Sequence, residues 1–99
     1  MFLGKVVGTV VSTQKDPKLR GGKLLVVQHV TMDLQPSKGF AVAMDSVGAG
    51  QGEVVICASG SSARMTEVTE GLPVDTVILG IVDSLEIEGK IAFRKEEEA

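Results

Sequence analysis

Between Leu3 and Thr13, Leu3, Lys5, Val7, Thr9, Val11 and Thr13 fall on one face, and Gly4, Val6, Gly8, Val10 and Ser12 on the other. That period of two is the signature of a strand. Both faces are half apolar, and the pair Gly4/Gly8 on one side predicts close packing or a bend of the backbone. A second strand is predicted over Lys23–Val30. Its run Leu24-Leu25-Val26-Val27 is unbroken, as in a strand covered on both faces. Phe40–Asp45 is a short third strand, Glu53–Ala58 a fourth and Val74–Asp83 a fifth, mostly continuous one. A last short strand, Ile91–Arg94, follows a turn at Glu88-Gly89.

Turn chemistry separates these runs. Gln14–Gly22 reads as a loop from Asp16-Pro17 and Gly21-Gly22, and Thr31–Gly39 as another, broken by Pro36. A Gly-rich connection, Ser46–Gly52, leads into the fourth strand. Gly60–Met65 is the best helical segment, with Ser61 or Ser62 placed to cap its first turn, though it is too short to be stable alone. The pattern predicts an all-β domain with one short helix, resembling a small, partly open five-stranded barrel of the OB type. The barrel takes in about residues 1–83, followed by a short extension (84–94) and a frayed acidic tail (95–99). Apolar edges left open on such a barrel invite pairing with other chains, so an oligomer is expected.

Composition narrows the classes. Ninety-nine residues make one domain. The chain carries 10 Lys+Arg against 13 Asp+Glu for a net charge of −3, with three Phe, no Tyr and no Trp. Fifteen Val and five Ile against eight Leu favour strand over helix. One Cys (Cys57) excludes an internal disulfide, and one Cys with one His (His29) argues against a structural zinc site. Negative charge without aromatic platforms disfavours nucleic acid as a partner. No apolar run approaches the roughly 20 residues of a membrane helix, and no secretory leader pattern opens the chain. A soluble, intracellular protein is expected.

Candidate chemistry is sparse. Gly48-Ala49-Gly50-Gln51-Gly52-Glu53 lacks the third glycine of a dinucleotide fingerprint, places a phosphate-repelling Glu there, and leads into a strand instead of a helix. A tight turn at an interface fits it better. Gly21-Gly22-Lys23-Leu24 lacks the earlier Gly and the Ser/Thr of a P-loop. Ser59, Ser61, Ser62 and Cys57 are the available nucleophiles and His29 the one imidazole, but Cys57 lies within an apolar strand, where a buried small hydrophobe is expected. Asp45, Glu53, Asp75 and Asp83 show no spacing that sets two carboxylates about one bond. The basic loop Lys15–Lys23 reads as solvated, or as a charged rim that meets a neighbouring molecule. No catalytic residue, metal ligand or cofactor is assigned.

Taken together, three stretches resemble the EutN/CcmL-type vertex proteins of bacterial microcompartment shells. One is Gly4-Lys5-Val6-Val7-Gly8-Thr9-Val10-Val11-Ser12-Thr13-Gln14-Lys15 with Leu19-Arg20-Gly21-Gly22-Lys23-Leu24-Leu25. Another is Asp45-Ser46-Val47-Gly48-Ala49-Gly50-Gln51-Gly52-Glu53-Val54-Val55. The third comprises Gly60-Ser61-Ser62-Ala63-Arg64 and Val74-Asp75 through Gly80-Ile81-Val82-Asp83. Departures fall in the Thr31–Gly39 loop and after Asp83. The resemblance implies an OB-like barrel assembling into a cyclic pentamer, with a ring of six as a minor alternative. Such rings sit at the corners of a cytoplasmic polyhedral shell, whose facets are hexamers of an unrelated fold. It further implies a subunit contact region holding Gly48, Ala49, Gly50, Gly52, Glu53, Ser61, Ser62 and Arg64. From charge and loop length, Lys15, Lys18, Arg20 and Lys23 are expected to form the rim facing those hexamers. The competing expectation is an OB-type binding module for an oligonucleotide or sugar, which needs a basic or aromatic face.

Overall fold

A computed structural model describes residues 1–95. They form seven strands: β1 (Phe2–Val10), β2 (Leu24–Val30), β3 (Pro36–Asp45), β4 (Val54–Ser59), β5 (Thr76–Ile81), β6 (Ser84–Ile87) and β7 (Lys90–Arg94). The first five close into a barrel in the order β1-β2-β3-β5-β4, the closure of a five-stranded OB-like Greek key. Every pairing in it is antiparallel except β3–β5. That parallel contact is short, with Met44 opposite Val77 and Asp45 opposite Ile78. The barrel expected to be partly open is therefore shut, and the argument from bare edges does not apply to it.

The inner face of β1 explains its glycines in part. Phe2, Gly4 and Val6 point inward, against Val27 and Leu25 of β2 and Val55 and Cys57 of β4. A β-carbon on Gly4 would collide with a Val27 methyl and crowd the Gln28 carbonyl, whereas one on Gly8 would make only ordinary contacts with Val26. A bulge between Val6 and Gly8 shifts the register and turns Val10 outward opposite Leu24. Ala43, Ala49 and Ile78 complete this core, and all eight of its buried members are at most 1% exposed.

A second apolar cluster lies outside the barrel. The outward residues Leu3, Val54 and Ile56 of β1 and β4 pack against Val82, Leu85 and Phe93. The last two belong to the antiparallel hairpin β6–β7. Both faces of β4 are thereby buried, which is why Val54-Val55-Ile56-Cys57 has no polar interruption.

Several expectations about boundaries are corrected. β1 stops at Val10, and Ser12–Lys15 folds into a turn in which the Ser12 hydroxyl donates to the Gln14 carbonyl and Lys15 Nζ to the Ser12 carbonyl. β3 begins at Pro36, inside the expected loop; a proline at the first position of a strand costs no ladder hydrogen bond. β6 was not expected, because Ser84-Leu85-Glu86-Ile87 is too short and polar to stand out before its partner is known. The short helix is a 3₁₀ helix, Gly60–Arg64, and a second occupies Pro17–Leu19. Neither Ser61 nor Ser62 caps it. Ser59 holds the cap position without a side-chain bond, and the Ser62 hydroxyl turns back to the Ser59 carbonyl. Lys95, assigned to the frayed tail, donates its backbone N–H to the Asp83 carbonyl, while 96–99 lie outside the described residues.

Candidate assembly interface

The Gly-rich connection between β3 and β4 is held at three points. At its start, the Asp45 carboxylate accepts from the N–H groups of Val47 and Ala49 at 3.0–3.1 Å, and the Ser46 hydroxyl donates to the Ile78 carbonyl at 2.6 Å. In the middle, Lys23 Nζ donates to the Ala49 carbonyl at 3.2 Å. At its end, Glu53 Oε1 accepts from the Gly50 N–H at 2.6 Å. Gly48 and Gly52 adopt φ of +78° and +87°, where an L side chain is strained. Glycine is required there by the turn itself. Of the expected contact residues, Ala49 differs from the rest. It is 0% exposed and fills the chain's own core, so its side chain offers nothing to a neighbour.

Glu53 does more than close the turn. Its second oxygen, Oε2, accepts from Lys95 Nζ at 2.6 Å. That bond from Lys95, followed by the bond from Gly50, holds the carboxyl below its ordinary pKa, and the same bond holds the Lys95 ammonium above its own. Nothing in the sequence linked positions 53 and 95. They meet because the β6–β7 hairpin folds back over β4.

The remaining contact candidates stand at the opposite end of β4. Ser61, Ser62 and Arg64 lie on the second 3₁₀ helix, which packs through buried Ala63 against Ala58 and Val77. Arg64 Nη1 donates to the Val74 carbonyl at 3.0 Å. Six residues of strand, about 20 Å, thus separate the two halves of the set. Of the expected rim, Lys18 and Arg20 are exposed on and beside the first 3₁₀ helix, where Asp16 accepts from the Lys18 N–H. Lys15 and Lys23 are drawn instead into the backbone bonds described above.

A further surface escaped the sequence reading. On the outer face of β2 and β3, Val26 pairs with Val42 and Gln28 with Phe40, while their neighbours Leu25 and Ala43 point inward. Val42 is 51% and Phe40 64% exposed, and Val7 of β1 is open beside them. β2, expected to be covered on both faces, is covered on one in the isolated chain.

Two of the residues considered for catalysis are engaged in the chain's own packing. Burial pushes the Cys57 thiol up to about 12, so it is neither nucleophile nor ligand at neutral pH. His29 stacks on Phe2, with ring centroids 4.1 Å apart at 22°. Among the described residues, no three of His, Cys, Asp and Glu are grouped to hold a metal, and no helix is long and apolar enough to cross a membrane.

Comparison with known proteins places this geometry. Residues 1–83 match the family described as ethanolamine utilisation protein EutN/carboxysome. Over 86 residues, the chain is 50% identical to the bacterial microcompartment shell vertex protein GrpN of Rhodospirillum rubrum, covering 87% of this chain and 97% of that protein. The structure of GrpN, a pentameric microcompartment shell protein, superposes with a TM-score of 0.81 at 49% identity, over 88% of this chain and 99% of the other. The structure of CcmL from Gloeobacter violaceus superposes with a TM-score of 0.92 at 41% identity, over 97% and 99% of the two chains.

Proposed function

The chain belongs to the EutN/CcmL family, and from that membership we propose how it works as a vertex protein of a bacterial microcompartment shell. It is a structural protein, not an enzyme, and five copies form the ring. The observation that carries this is the 50% identity to GrpN across nearly the whole of that protein, whose structure is a pentamer.

A ring needs two different patches on each copy, since a head-to-tail contact joins unlike surfaces and closes by rotation. The two ends of β4 supply them. The loop 48–53 lies at one end, and Ser61, Ser62 and Arg64 at the other. Backbone at Gly48, Gly50 and Gly52 lets a neighbour approach closely, and the bonds from Asp45, Lys23 and Glu53 preset the loop, so little order has to be gained on assembly. The outer face at Val7, Val26, Phe40 and Val42 supplies apolar area for the neighbour to cover.

The ring's place in the shell follows from geometry. A flat hexagonal sheet closes only where fivefold points interrupt it. We assign the facet-facing rim to Lys18 and Arg20, with Lys15 and Lys23 shaping the loops behind them, and the partner to hexameric shell proteins. Co-expression with a hexamer-forming facet protein tests this by electron microscopy. Closed polyhedra with the chain present, and open sheets or tubes without it, are expected. Equal closure in both cases contradicts the role.

A further inference from the structure

Glu53 is shared between two parts of the molecule, one oxygen to each. Oε1 holds the Gly50 N–H and so sets the 50–53 turn, while Oε2 holds Lys95. Lys95 follows directly on β7, which is docked by buried Phe93 against Val54 and Val82. The hairpin's base is tied by the bond from the Lys95 N–H to the Asp83 carbonyl. Lys95, Phe93 and Val54 also line one groove of roughly 570 Å³, walled by Leu34 and Gln35 of the β2–β3 turn and by Gly52 and Glu53. The hairpin lies beyond the stretch, 1–83, that carries the family match.

We propose that the C-terminal hairpin is a clasp, and that Lys95 is a positioning residue which, through Glu53, holds the 48–53 loop in the shape it presents to a neighbouring copy. The second part rests on the reading of that loop as a subunit contact. The order of events is physical. Phe93 supplies the apolar anchor, buried with Val54 and Val82. It brings Lys95 to a carboxylate that also holds a backbone amide of the loop. With Lys95 in place, the plane of the Glu53 carboxylate is fixed, so Oε1 remains on the Gly50 N–H. Without it, the carboxylate turns to water and the amide loses a charge-assisted partner.

The groups around this pair set its pH range. Lys23 lies near Glu53 from the loop side, Asp83 near Lys95 from the base of the hairpin, and Lys5 and Asp33 line the same groove. Glu53's contribution is present above the ordinary carboxylate value of about 4.3 and is lost as pH falls through its lowered folded value. Lys95's is present below the ordinary value of about 10.4 and is lost as pH rises through its raised one. The clasp is closed throughout the neutral range and opens at both extremes.

The test is amide hydrogen exchange at Gly50 in the assembled protein, read by mass spectrometry at neutral pH and on acidification, with the ring's dissociation measured beside it. Lys95→Met should speed exchange at Gly50 about two- to five-fold, the range expected for an exposed ion pair. Lys95→Arg should restore the native rate. Acidification should abolish the difference between Lys95→Met and the native chain. Unchanged Gly50 exchange in Lys95→Met overturns the clasp. Faster exchange with unaltered ring dissociation supports the clasp while counting against the loop as subunit contact, so the two ideas fail separately.

Discussion

Gly4 of β1 and Val27 of β2 are diagonal neighbours inside the barrel, with no room for a β-carbon between them. A methyl group at position 4 must displace a Val27 methyl and press on the Gln28 carbonyl. Gly4→Ala should therefore cost about 1–3 kcal/mol, as overpacking of a tight core does. Gly8→Ala, whose nearest neighbour would be 3.6 Å away, should lie within about 1 kcal/mol of the native chain. Thermal unfolding of the two variants side by side checks the contrast, and equal midpoints would show that the barrel relaxes around Gly4.

The buried thiol gives a chemical test of the core. With Cys57 held at about 12 and closed off from solvent, iodoacetamide at pH 8 should label the folded chain on the order of a thousand-fold more slowly than a free thiol. Chemical denaturation should restore ordinary labelling. The same displacement acts on stability. Above about pH 8.5 the unfolded chain releases the thiol proton while the folded chain keeps it, so stability falls by about 1.4 kcal/mol per pH unit until the folded value is passed. Cys57→Ser or Cys57→Ala should remove that slope from the pH profile.

Val42 tests the outer face. A charge there is solvated in the free chain and stranded in an interface. Val42→Asp should leave the monomer folded, by circular dichroism, while weakening ring formation more than about ten-fold, equivalent to 1.4 kcal/mol. An intact ring with Val42→Asp would place the subunit contact elsewhere on the barrel.

Reversing charge at Lys18 and Arg20 separates assembly from incorporation. Both side chains are exposed on the loop after β1. Lys18→Glu with Arg20→Glu should lower the amount of protein recovered in purified shells and leave the ring's mass unaltered. Undiminished recovery would exclude this loop as the facet-facing rim.

Which of these features the sequence announces depends on how far their causes reach along the chain. Four of the barrel strands can be read from local alternation or from unbroken Val/Ile runs, because burial of one or both faces imprints directly on β1, β2, β4 and β5. The start of β3 is hidden by Pro36, a local breaker that a strand's first position tolerates. Closure is hidden because it rests on two residue pairs, Met44–Val77 and Asp45–Ile78, more than thirty positions apart. The Glu53–Lys95 bond is hidden for the same reason. The outer apolar face was legible in principle. In Phe40-Ala41-Val42-Ala43 the large residues share one face and the small ones the other. A chain meant to stand alone would turn the large ones inward, yet Ala43 is the buried one.

A ring of five, the state proposed for this chain, fixes the mass of the intact assembly. Native mass spectrometry at micromolar concentration should find a single species of about 52 kDa, five copies of the 10.4 kDa chain. A dominant species at 10.4 kDa, or one at about 62 kDa for six copies, would contradict it.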